Sequence, residues 1–91
     1  MPARRAAPRT RYDGALFRSL RESHNVRLGA VLEQAAATVG FEVCAHEHAR
    51  QWERGQRNIS DRLARILAAA LTDLTSREIT PSDFIARQAA A

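Results

Sequence analysis

Between Ser60 and Leu74 the chain places Leu63, Ile66, Leu67, Ala70, Leu71 and Leu74 at i, i+3, i+4, i+7, i+8 and i+11. That spacing returns to one side of a 3.6-residue turn, so the segment reads as an amphipathic α-helix with a continuous apolar stripe. Ser60 is the expected N-cap, because its hydroxyl can accept from a free N–H of the first turn. A helix of this kind holds only when other elements cover its stripe, and the rest of the chain must supply them.

The remaining segments read as helices too. Asp13 is a good N-cap for a first helix over about residues 14 to 23, with Leu16, Phe17 and Leu20 on one face and His24 and Asn25 ending it. From Val26, the positions Leu28, Val31, Leu32, Ala35, Ala36 and Val39 keep helical spacing up to Gly40, the expected stop of a second helix. A third helix is expected from Cys44 to Arg54, with Ala45, Ala49 and Trp52 inward and Gly55 ending it. Thr80 as N-cap, Pro81 at the first helical position and Asp83 two residues on have the form of a capping box, predicting a fifth helix from about Pro81 that carries Phe84 and Ile85. No segment alternates with period two, and no internal repeat is visible. The expected class is all-α, a compact five-helix domain over residues 13–91.

Composition limits how that domain is built. Ninety-one residues suit one small domain, and 18 of them are alanine, so few large side chains remain for a core. The longest apolar run, Ile66 to Leu71, is far shorter than the ~20 residues of a membrane span. The N-terminus lacks the apolar stretch of a secretory signal, so the expected location is cytoplasmic, with no membrane partner. A single cysteine, Cys44, cannot form an internal disulfide.

Charge is distributed unevenly. The net charge is +4 and all 14 basic residues are arginine. Arg4, Arg5, Arg9 and Arg11 lie in residues 1–12 with no acid among them, so the remainder is formally neutral. With Pro2, Pro8 and little apolar surface, that stretch is expected to be a disordered basic arm that follows phosphates or enters a minor groove; a solubilising terminus is the plainer reading.

If Ala45, Ala49 and Trp52 face inward, the helical period turns His46, Glu47, Arg50, Gln51 and Arg54 outward. These are groups that read base edges: arginine binds guanine O6 and N7 as a fork, glutamine binds adenine N6 and N7, and glutamate accepts from cytosine N4. Arg57 and Asn58, just beyond Gly55, are placed for backbone phosphates. The same residue types also make ordinary pairs on a solvated helix face.

The segment Ala49-Arg50-Gln51-Trp52-Glu53-Arg54-Gly55-Gln56-Arg57-Asn58-Ile59-Ser60 resembles the Cro/Xre-type helix-turn-helix family of small phage-type regulators, in which a W-E-R-G-like turn ends the recognition helix and a serine opens the next. Glu33 to Gly40 is similar to the family's second helix, although the stretch from Gly40 to Trp52 is longer than the family pattern. The resemblance implies a lambda-repressor-like helix-turn-helix fold and sequence-specific binding of a double-stranded DNA operator. It further implies a homodimer on half-sites roughly 34 Å apart, and repression by occluding polymerase. The alternative is a small helical protein–protein interaction module or antitoxin-like adaptor, with Phe84 and Ile85 docking into a partner. In the DNA reading the same two residues are candidates for the dimer contact, or else they cap the chain's own core.

Other residues point to less. Trp52 is in register with Ala45 and Ala49, as a core anchor would be, although an exposed tryptophan can also stack on a base. Tyr12 either packs on the first helix or touches a phosphate. Cys44, His46 and His48 are close in sequence, but 46 points away from the face shared by 44 and 48, so no metal site is expected. Cys44 reads either as a thiol activated near a helix start or as a small buried apolar residue. No nucleophile motif, phosphate-cradling glycine loop or carboxylate pair marks an enzyme, and no cofactor or small-molecule ligand is indicated.

Overall fold

The computed structural model describes residues 12–85. Four α-helices make up its body: α1 (Gly14–Ser23), α2 (Leu28–Val39), α3 (His46–Glu53) and α4 (Asp61–Thr75). All-helical architecture follows from the absence of period-two segments, and among the described residues the only extended pairing is an isolated antiparallel bridge between Tyr12 and Ile85. The basic stretch containing Arg4, Arg5, Arg9 and Arg11 lies outside the described residues.

Local chemistry accounts for the helix ends. The Asp13 side chain accepts from the Ala15 N–H at 2.9 Å and starts α1, and Ser60 Oγ accepts from Leu63 N–H at 3.1 Å and starts α4. α2 starts at Leu28 rather than near Val26, because Asn25 is in the left-handed region and Arg27 is extended at ψ 149°. It ends at Gly40, whose φ of +90° is open to glycine without strain and whose N–H bonds back to the Ala36 carbonyl. α3 is shorter than expected. Ala45 is extended at ψ 148° and acts as the cap, so it is exposed rather than facing inward, and Cys44 lies before the helix.

The expected fifth helix is instead a single 3-10 turn, Pro81–Phe84. Asp83 accepts from the Thr80 N–H at 2.9 Å, as the capping pattern predicts, but Ile85 then becomes extended at ψ 123° and pairs with Tyr12. The Phe84 carbonyl accepts from the Asp13 N–H at 2.6 Å. These tertiary bonds use backbone groups that a longer helix would need. They also place Tyr12, expected in the arm, within the body.

α4 packs mainly on α2, α3 on α1, and the 3-10 turn closes over both α1 and α4. The stripe of α4 is covered as expected through Leu67, Ala70 and Leu71, whereas Leu74 is 38% exposed. Alanine resolves the shortage of large apolar side chains: Ala35, Ala49, Ala64, Ala68 and Ala70 are all buried. Small side chains at these positions let helices approach closely and keep interior density high. Phe17 and Phe84, both fully buried, meet edge to face with ring centroids 5.4 Å apart. Phe84 therefore takes the second of its two expected roles, a cap of the chain's own core, and is not exposed for the dimer contact, and Ile85 is partly buried at the bridge.

Candidate nucleic-acid interface

α3 owes its position to one buried face. Ala49, Trp52 and Glu53 fall at i, i+3 and i+4, and all three are buried. Trp52 is 3% exposed, which makes it the core anchor and excludes base stacking by its ring. Its carbonyl lies against the first turn of α1, where a Cβ built on Gly14 would sit 1.7 Å from the Trp52 oxygen. Only glycine permits that approach.

Glu53 is the residue that sequence reasoning missed. Its two oxygens accept from Arg21 Nε and Nη2, both at 2.7 Å, forming a fork between α1 and α3. Arg21 Nη1 also donates to the Val26 carbonyl at 3.2 Å, which links the pair to the turn before α2. The bond to Glu53 raises the Arg21 pKa, so the guanidinium stays charged although largely buried. The spacing from Ala49 already put residue 53 on the buried face. Its partner, 32 residues earlier, had no local signal.

The five residues expected to read bases divide into two groups. His46, Arg50 and Arg54 are exposed and line an open hollow of about 680 Å³, bounded by α1 and by the start of α2. Glu47 and Gln51 do not line it. Gln51 is half-buried, and its Oε1 accepts from Arg57 Nε at 2.9 Å, so Arg57 is tied to α3. Asn58 is exposed in the connection between α3 and α4.

The hollow is basic. Arg18, Arg21 and Arg27 join Arg50 and Arg54 around it, against Glu33 and Glu53. Arg21 is neutralised by Glu53, and Arg18 pairs with Glu22 at 3.1 Å. Among the described residues, Arg27, Arg50 and Arg54 take part in no ion pair. No protein-family model, curated protein or solved structure gives a match to this chain.

Two further groups are placed by the fold. Burial, with a smaller contribution from Glu42, pushes the Cys44 thiol up, opposite to the shift of an activated cysteine. The Asp61 carboxylate at the start of α4, as a hydrogen-bond acceptor, raises the Tyr12 phenol above its ordinary value. Among the described residues no group of three or more His, Cys, Asp or Glu side chains is arranged to hold a metal ion, and no helix is long and apolar enough to cross a membrane.

Proposed function

We propose that this chain is a sequence-specific DNA-binding regulator of the Cro/Xre type, with α3 as its recognition helix. The observation that carries the reading is the division of α3: Ala49, Trp52 and Glu53 lock one side to the body, while Arg50, Arg54 and Glu47 stand in solvent on the other. A rigidly held helix with free forked donors and a carboxylate has the groups for major-groove readout. Gln51 is coupled to Arg57, whose Nε donates to the Gln51 oxygen. Arg57 and Asn58 follow on the same connection, within reach of backbone phosphates. In this reading α2, the connection over residues 40–45 and α3 form the helix-turn-helix.

Binding as a homodimer to a two-fold operator belongs to the same proposal, with a contact surface other than Phe84. The alternative, a protein-interaction module, loses Phe84 as its docking residue for the same reason; Phe41, 56% exposed after α2, is the aromatic that could replace it. Fluorescence anisotropy with random duplex DNA at two salt concentrations separates the two readings. Binding whose log K falls steeply with log salt supports DNA recognition, since each neutralised phosphate contributes about 0.9 to the slope. Selection from a random duplex pool then tests sequence preference, and a pool without enrichment overturns the specific reading.

A further inference from the structure

The hollow between α1, α2 and α3 sets Arg27 and the start of α2, neither of them used in base reading, beside Arg50 and Arg54. It is concave, at about 680 Å³ it falls in the range of small-ligand sites, and its unpaired side chains are mostly cationic. We infer that this hollow is a binding site for a phosphate monoester, held by Arg27, Arg50 and Arg54.

Charge complementarity sets the ligand class. Arg21 with Glu53 and Arg18 with Glu22 are matched pairs, so Arg27, Arg50 and Arg54 face only Glu33 as an opposing carboxylate in the lining. The balance is an excess of two positive charges, which suits a monoester carrying about −1.5 to −2 at neutral pH better than a singly charged diester. Guanidinium forks are the donors that match phosphate oxygens.

Shape supports the same ligand. Gly29 lines the hollow without a side chain, and His46 Nε2 lies 3.9 Å from where its Cβ would be. Bare backbone therefore forms part of the wall where an anion would sit. Leu28, Gly29 and Ala30 open α2, and no side chain caps that helix. The first N–H groups of a helix have no intrahelical partner, which favours an anion beside them.

The inference stands apart from DNA recognition, although Arg50 and Arg54 belong to both. A phosphate group could come from a free monoester or from a nucleic-acid backbone, and the two are separable. The full chain is titrated with inorganic phosphate, then with a nucleoside monophosphate, and followed by amide resonances, with sodium chloride at equal ionic strength as the control. Saturable shifts at Leu28, Gly29, Ala30 and Arg50, absent with chloride, are expected.

Gly29→Glu should weaken binding by about tenfold or more, the equivalent of one charge-assisted hydrogen bond. The fold should survive, because an acid in the first turn favours the helix and glutamate forms helix better than glycine. Arg27→Ala, at an exposed residue that makes no side-chain cap bond, is the second variant and should weaken phosphate binding similarly. Glu33→Gln should tighten it. Shifts that do not saturate, that chloride reproduces, or that persist unchanged in both weakening variants overturn the site.

Duplex affinity measured on the same proteins identifies the source. Unchanged duplex binding in Gly29→Glu supports a site for a free monoester, whereas parallel loss overturns it and gives the arginines to backbone phosphate. Phosphate binding in a chain that binds no duplex keeps the site and removes the DNA reading.

Discussion

Arg21 on α1 and Glu53 on α3 form a two-pronged ion pair, 2.7 Å at each contact, that is largely shielded from solvent and ties the two helices together. Removing one partner leaves the other buried and unpaired, so Glu53→Ala should lower unfolding free energy by about 3–5 kcal/mol. Replacing both, as Arg21→Met with Glu53→Leu, should recover much of that loss. Urea unfolding of the single and double variants measures it, and additive losses would show that the two residues act independently.

Gly14 is a point of close backbone approach between α1 and α3. A Cβ there would overlap the Trp52 carbonyl, a backbone atom that cannot rotate away. Gly14→Ala should therefore cost at least about 3 kcal/mol despite the higher helix propensity of alanine. A denaturant midpoint equal to that of the native chain would contradict the contact.

Phe84→Ala tests the corrected role of the C-terminal aromatic. Loss of a fully buried ring packed on Phe17 predicts a destabilisation of about 3–5 kcal/mol. Light scattering at equal concentration should show the same mass for native chain and variant where both remain folded. A smaller particle with unchanged stability would restore Phe84 to an interface.

The single tyrosine reports on the closure of the fold. Because the neighbouring Asp61 carboxylate favours the neutral phenol, the folded pKa of Tyr12 is raised above 10.0. Its contribution to stability is fully present below the unfolded value near 10.0 and is lost as pH rises through the higher folded value. Tyrosinate absorbance should titrate above that of the unfolded chain, and Asp61→Asn should bring the midpoint back toward it.

Gln51 and Arg57 should behave as a unit in DNA binding. Arg50→Ala is expected to lose about 1–3 kcal/mol on a selected site and relax preference at one base pair. Gln51→Ala and Arg57→Ala should each weaken binding, but the double variant should lose less than their sum, with a coupling of about 0.5–3 kcal/mol. Strict additivity would separate Arg57 from the presentation of Gln51.

The α-helical class was determined by sequence alone, because the periodic positions of α4, the hydroxyl of Ser60, the carboxylate of Asp13 and the glycine at 40 act within one or two turns of the chain. The outward group on α3 followed from the same period, since Ala49 and Trp52 define the inward side. Contacts between distant segments were not legible. Nothing near Arg21 indicates Glu53, nothing near Gly14 indicates the Trp52 carbonyl, and nothing near Phe84 shows that Tyr12 will meet Ile85 and stop the helix after one turn. The hollow arises in the same way, from the start of α2 with Arg27 coming beside Arg50 of α3 and Arg54 just after it. Helical periodicity is a short-range property written into each segment, whereas a salt bridge, a close approach or a concave surface exists only once packing has chosen which faces meet.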